Sequence, residues 1–461
     1  MEILNGIMEI LNGIIESLTE VLSGKILVVL LVGTGIWFTA RLGFVQFREF
    51  GSAFKAVFGN IKLKGDKADK NGMSSFQSLA TAIAAQVGTG NLAGAATAMV
   101  MGGPGAIFWM WISAIFGMAT IFAEATLAQK YKTVGEDGEI TGGPVYYIRA
   151  AFRGRLGKIL AAVFAILITL ALGFMGNMVQ SNSIGAAFSG VFESRNINIP
   201  PVAIGIILAV IAAFIFVGGT TRLAAVVEKI VPFMAGIYIV GSLILIGMNI
   251  TALPGAFKMI FVGAFNPTAV VGGAAGITVR EAIRYGVARG LFSNEAGMGS
   301  TPHAHARAAA KNPHEQGLTA MISVFIDTFI VLNLTVFSVL TTGAMDSGKG
   351  GIALTQEAFM RGFGSFGDIF VAICLLFFAF STVLSWHFFG QINVQYLFGK
   401  KAVKVYSIIV VAFIIVGSTL KVDLVWELAD FFNGLMVIPN AMALLALSGV
   451  VAGISKKYGK K

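Results

Sequence analysis

A single cysteine, four histidines and a charged fraction of only 12% in 461 residues remove several kinds of protein at once. The lone Cys374 allows no internal disulfide and no thiolate metal cluster, and in the apolar run Ile369–Leu376 it reads as a small buried hydrophobe. His303 and His305 are two apart, so a helix turns them to different faces. With His314 they make no zinc-like set, because no cysteine assists. The chain also lacks a Gly-Xaa-Ser-Xaa-Gly elbow, a His-Glu-Xaa-Xaa-His pair and a phosphate loop, which sets aside an intramembrane enzyme. A soluble globular protein would carry roughly twice this share of charge.

What fills the space is apolar. Hydrophobic residues make up 56% of the chain, in repeated runs of about 20 residues, the length that crosses a bilayer as helix. The fold class expected is therefore an all-α polytopic membrane protein, with the lipid bilayer as its surroundings. Eleven spans are expected, over 25–42, 76–101, 104–130, 158–190, 200–217, 226–250, 278–311, 317–345, 368–398, 403–420 and 424–452. The net charge of +10 would otherwise raise nucleic acid as a partner. Here Lys and Arg collect in short loops, so topology accounts for them and no nucleic acid is expected.

Those loops also set an orientation. Of the 33 basic residues, 24 fall in alternate loops and the C-terminal tail, 6 in the opposite set, and Arg280, Arg284 and Arg289 inside the seventh span. The positive-inside rule places the rich set in the cytoplasm, the N-terminus outside and the C-terminus inside. The expected location is the cell membrane.

The heptapeptide Met-Glu-Ile-Leu-Asn-Gly-Ile occurs twice, at 1–7 and 8–14, and carries no functional reading. Residues 1–24 are expected to form an amphipathic segment on the membrane surface, with Ile and Leu opposed to Glu2, Glu9, Glu16 and Glu20. With 25–42 as an extra helix, the remaining ten spans divide into 76–250 and 278–452, followed by a basic tail at 453–461. Five helices per half means that the halves enter the membrane in opposite directions.

Each half opens on a helix interrupted by glycines and small polar residues. The first interruption is Gln86-Val87-Gly88-Thr89-Gly90-Asn91, and the second runs from Phe292 through Ser293, Asn294 and Glu295 to Ser300. Glycine weakens a helix interior, and hydrocarbon offers no water to the freed backbone groups. Such breaks persist where they face a cavity or ligand, and matched breaks in two halves mark a transporter's substrate site. The competing reading is that these glycines only let helices pack closely. A break offers N–H groups and a positive dipole end to a carboxylate, and carbonyls to an ammonium group or a dehydrated cation. A channel is a further alternative, but the ring of repeated selectivity residues it needs is absent.

The segments Thr81–Asn91, Gly102–Trp111 and Phe292–Ser300, in order, closely resemble the alanine or glycine:cation symporter family, a LeuT-like fold. The similarity runs from about residue 25 to 450. It implies a 5+5 inverted-repeat core and sodium-coupled uptake of alanine and glycine by a monomer, with sodium as coupling ion and no cofactor. The implied substrate residues are Gln86, Gly88, Thr89, Gly90, Asn91, Phe292, Ser293 and Asn294. Phe378–Val383 resembles the sodium-binding segment of the leucine transporter, which gives Ala84, Val87, Ala379, Ser381 and Thr382 as cation residues. Which of the two hydroxyls binds the ion stays open. A proton is the alternative coupling ion, but this site contains no carboxylate.

Phe174 and Asn177, spaced like neighbours on one helical face, are expected to line the cavity. Phe174 opposite Phe292, with Trp386 or His387 near, would leave room for a small side chain. Glu124, Arg289, Glu295 and Asp327 are charges inside apolar spans, each requiring a partner. For Glu124 and Glu295 the expected role is structural, accepting hydrogen bonds from N–H groups freed at the breaks; a proton relay is the alternative for Glu124.

Overall fold

The computed structural model describes Leu22 and residues 26–59, 72–135, 138–271, 277–420 and 422–459. Apart from Leu22, the surface segment expected over 1–24 lies outside these residues. Described residues form helices α1 (Leu27–Arg41) and α2 (Phe50–Phe58), then the first broken helix, α3 (Ser75–Gln86) and α4 (Ala95–Gly102). Helix α5 (Ala106–Lys130) runs to a short antiparallel hairpin, β1 (Thr133–Val134) and β2 (Ile140–Thr141). There follow α6 (Gly154–Ile168), α7 (Asn177–Glu193), α8 (Pro201–Val217), α9 (Gly219–Met248) and α10 (Leu253–Phe265). The second broken helix is α11 (Val279–Asn294) and α12 (Pro302–Arg307). The remainder is α13 (Pro313–Val324), α14 (Asn333–Thr341), α15 (Gly351–Phe363), α16 (Gly367–Phe398), α17 (Lys400–Gly417), α18 (Val422–Ala446) and α19 (Ser448–Tyr458).

Among the described residues, six helical segments are long and apolar enough to cross a membrane. Leu27–Arg41, Pro201–Val217 and Ile250–Phe265 are shorter apolar helices. Large apolar side chains on α8 and α17 point outward, Phe214 and Ile408 among them, as a hydrocarbon solvent permits.

Both broken helices start from the same device. Ser74 accepts from the N–H of Gln77 and its own N–H bonds the Gln77 side chain; Thr278 and Glu281 repeat the reciprocal pair. Each box satisfies backbone donors that a helix start leaves open. The breaks themselves differ. After Gln86 the chain turns at Val87 and resumes through a wide helical turn, Gly90–Gly94. After Asn294, Glu295 adopts a left-handed conformation (φ 56°), and Gly297 and Gly299 follow at φ 93° and 79°. Pro302 then opens α12, where a missing N–H costs no helical bond.

Helix α5 packs against α1, α11 and α13, while α16 packs against α7, α9 and α3. These two long helices flank the broken pair. The halves α3 and α12 are also joined directly at their ends: Met73 N–H donates to the Arg307 carbonyl at 3.0 Å, and Ala309 N–H donates to the Met73 carbonyl at 3.1 Å. Ser78 Oγ donates to the Ala304 carbonyl at 2.8 Å.

Candidate functional site

The two breaks meet at mid-helix. Gln86 Nε2 donates to the Asn294 carbonyl at 2.7 Å. A Cβ on Gly90 would lie 2.9 Å from Ser293 Cα, and one on Gly88 would lie 2.4 Å from Thr382 Oγ1. Neither glycine has positive φ. What these positions require is close approach between helices, not a left-handed backbone.

Asp327, fully buried in the wide-turn segment Phe325–Leu332, ties both breaks together. Its carboxylate accepts from Asn91 Nδ2 at 2.7 Å, from Ser293 Oγ at 2.9 Å and from Thr328 Oγ1 at 2.9 Å. Asn294 Nδ2 donates to Thr328 Oγ1 at 3.2 Å. Six of the residues expected at the substrate site, Gln86, Gly90, Asn91, Ser293, Asn294 and Phe292, thus lie at or beside one junction.

Gln180 on α7 completes the first break. Its Oε1 accepts from the Thr89 N–H at 3.1 Å and from Thr89 Oγ1 at 2.6 Å. The Gly88 N–H goes to Asn91 Oδ1 at 3.0 Å. The N–H groups of Gly88 and Thr89 at the first break are therefore taken by the protein's own side chains. Something else is left over. Gln86 Oε1 and Gln180 Nε2 are buried with no hydrogen-bond partner among the described residues, and so is Asn177 Oδ1. The partners of Gln86 and Gln180 fix which end of each amide is which, since a carbonyl only accepts and an N–H only donates. One buried acceptor and one buried donor thus flank the break, and groups of this kind need a partner.

On α16, Thr382 Oγ1 donates to the Ala84 carbonyl at 2.7 Å and also reaches the Phe378 carbonyl at 3.0 Å. Ser381 Oγ lies 2.9 Å from the same Phe378 carbonyl but 3.5 Å from Met234 Sδ, so it turns toward α9. The carbonyl shared by the two hydroxyls is that of Phe378, and Ala379 is displaced from it by one position. Phe378 stands three residues before Ser381 and four before Thr382, positions that meet along a helix. Val87, also assigned to the cation, is buried at the end of α3, its N–H on the Ile83 carbonyl at 2.7 Å. Ala84 O, Phe378 O and Thr382 Oγ1 are hard oxygen donors, the type that suits sodium.

Phe174 is not opposite Phe292. Its ring packs on Tyr406 and Phe413 of α17, with centroids 5.6 and 4.9 Å away. Asn177 is buried and donates to the Gly173 carbonyl at 3.0 Å. Phe174 lies in the segment Thr169–Gly176, which runs in wide i→i+5 turns, so the regular helical spacing that set Phe174 and Asn177 on one face does not hold there. Phe292 instead meets Trp386 edge-on at 5.7 Å and Trp426 at 4.7 Å. Gly176 is the α6–α7 residue beneath Trp386, where a Cβ would approach within 2.4 Å of the indole. His387 points the other way, stacked on Phe216 and bonded to Ser407 at 2.9 Å.

The buried acids have named partners. Glu124 accepts from the N–H groups of Gly297 and Gly299 at 3.0 and 2.9 Å, and from Asn440 Nδ2 at 2.7 Å. Glu295 accepts from Trp386 Nε1 at 2.5 Å and from Ser300 Oγ. Arg289 pairs with Asp430, not Glu295, and its guanidinium lies over Trp426 at 4.7 Å. His303 bonds Ser300 and Asn393, and His305 bonds Gln316, so the two imidazoles serve separate partners.

Sequence reasoning missed Gln180, Trp426 and Asp430. Asp430 was findable, since an intramembrane arginine requires a counter-charge and Asp430 lies inside the last apolar span. Gln180 was visible as an amide in an apolar run.

A bundle of apolar helices with two touching broken helices, buried polar groups at their junction and oxygen donors beside it defines a LeuT-like secondary transporter. The fold is similar to the crystal structure of MhsT in complex with L-phenylalanine, with a TM-score of 0.57 and 14% identity, covering 85% of this chain and 91% of that one. Residues 8–461 match the sodium:alanine symporter family, and the chain belongs to that family. It is a transporter and not an enzyme. Among its relatives, the sodium/alanine symporter AgcS of Methanococcus maripaludis is 43% identical over 443 residues, covering 95% of each chain. The probable sodium/glutamine symporter GlnT of Bacillus subtilis is 41% identical over 444 residues, covering 96% of this chain and 89% of the relative.

Proposed function

We propose that this protein moves one small neutral amino acid, alanine or glycine, inward together with sodium by alternating access. It acts as a monomer with its N-terminus outside and its C-terminus in the cytoplasm. The observation that carries the reading is the pair of buried amide atoms beside the first break, one acceptor and one donor, that find no partner among the described residues. Gln180 Nε2 can donate to a substrate carboxylate, and Gln86 Oε1 can accept from its ammonium group. Together they match a zwitterion without a charged side chain. Phe292, Trp386 and Trp426 cover one side of this junction, with the Arg289–Asp430 pair a turn further along α11. On the other side the Met73–Arg307 contact holds α3 and α12 together at their ends, and inward release requires it to open. Sodium takes the oxygens of Ala84, Phe378 and Thr382, which links the ion to the same broken helix as the substrate.

The test is uptake of labelled alanine into proteoliposomes of the purified protein, with sodium and pH gradients imposed separately. An inward sodium gradient should drive accumulation that survives a proton ionophore. Equal accumulation from a pH gradient in sodium-free buffer would establish the proton as the coupling ion instead. Glycine should compete with alanine; stronger competition from glutamine would replace the substrate assignment.

A further inference from the structure

The hairpin β1–β2, the corner between α8 and α9, and the start of α17 enclose a cavity of about 340 Å³, apart from the broken-helix junction. Arg307, Lys400 and Lys404 contribute to its wall, with the hydroxyls of Thr220 and Ser407. Arg307 is the buried member: its side chain is 7% exposed, and its Nη2 pairs with Glu139 Oε2 at 2.8 Å. Its Nε is buried with no hydrogen-bond partner among the described residues. Among the described residues of the wall, three side chains are basic and one, that of Glu139, is acidic. A planar guanidinium with a spare N–H is the group best matched to phosphate oxygens.

One edge of the cavity borders the apolar exterior. Val217, in the wall, is 87% exposed, and Phe214 and Val210 continue the outward apolar face along α8. A ligand there can keep acyl chains on α8 and turn a polar head toward Arg307. Basic pockets between transmembrane helices are suited to anionic headgroups.

We propose that this cavity binds the phosphodiester headgroup of an anionic phospholipid, with Arg307 as the buried anchor and Lys404 at the rim. The headgroup competes with Glu139 for Arg307. Because the Arg307 carbonyl receives the Met73 N–H, occupancy bears directly on the contact that joins α3 and α12.

The full chain, reconstituted in nanodiscs of equal phosphatidylcholine and phosphatidylglycerol and then stripped, should retain one phosphatidylglycerol per chain by native mass spectrometry. Lys404→Glu should lower that retention at least about fivefold, the effect of roughly one basic residue near a membrane surface. Arg307→Gln should lower it further. Lys457→Glu on α19, outside the cavity, should leave it unchanged. Equal losses in Lys457→Glu and Lys404→Glu would reduce the effect to general surface charge and overturn the site, as would wild-type retention in Lys404→Glu. If Arg307→Gln does not fold, Lys404→Glu, monodisperse by size exclusion, decides alone. Displacement of the lipid by millimolar glycerol 3-phosphate would make the ligand a soluble phosphate ester and sink the lipid assignment. None of these readouts depends on alanine transport.

Discussion

The carboxamide of Gln180 accepts two hydrogen bonds from Thr89, one from its N–H at 3.1 Å and one from its hydroxyl at 2.6 Å. That geometry clamps the first break against α7 and leaves Gln180 Nε2 with no acceptor among the described residues. It turns an orphaned donor into the most specific mark of the candidate site.

Gln180→Leu should therefore remove a donor to a charged group, together with the acceptor of both Thr89 hydrogen bonds, while keeping similar volume. A hydrogen bond of that kind contributes about 1.5–3 kcal/mol, so alanine affinity should fall by roughly 10- to 150-fold. The shift is read by titrating alanine against the detergent-solubilised protein. Unchanged affinity in a monodisperse Gln180→Leu protein would remove Gln180 from the substrate site.

The two hydroxyls on α16 should separate. Thr382→Ala deletes the oxygen that touches both Ala84 and Phe378, and the sodium concentration for half-maximal uptake should rise about tenfold or more, the effect of losing one bond to a charged group. Ser381→Ala should change it little, because Ser381 faces Met234. Gly88→Ala should mimic Thr382→Ala, since its Cβ would fall 2.4 Å from Thr382 Oγ1. A larger sodium effect from Ser381→Ala would reverse the assignment.

Phe174→Ala should leave substrate selectivity as it is. The ring lies between α6 and α17, so its loss costs packing, about 3 kcal/mol or somewhat less for a half-buried site. A lower unfolding temperature with the wild-type ranking of alanine, glycine and glutamine is the expected pair of results. Altered ranking would return Phe174 to the cavity wall.

Glu124→Gln keeps the shape but turns an amide NH2 toward one of the donors Gly297 N–H, Gly299 N–H or Asn440 Nδ2. The mismatch leaves a buried donor unsatisfied and should destabilise the protein by about 1–3 kcal/mol. Thermal unfolding of the purified variant measures this. A proton-relay role predicts the opposite pattern, with normal stability and a changed pH profile of uptake.

Much was legible in the residues taken one stretch at a time. Apolar runs and the glycine-rich interruptions at Gln86–Asn91 and Phe292–Ser300 report local preferences, and the described residues carry them as helices and breaks. Buried acids in apolar runs were equally visible, because a charge in hydrocarbon stands out wherever it packs. By itself the sequence determined a helical membrane protein with two broken helices, and the motifs that mark its family.

Only the tertiary structure decided which distant residues meet. Thr89 with Gln180, Thr382 with Ala84 and Arg289 with Asp430 are each separated by 91 to 298 positions, far outside the reach of any periodic rule. Phe174 shows the same limit at short range. The wide-turn segment Thr169–Gly176 rotates later side chains relative to earlier ones, and composition alone does not reveal it. Helix formation answers to neighbours within a turn, whereas the facing of a side chain depends on the accumulated rotation of its helix and on the packing of other helices around it.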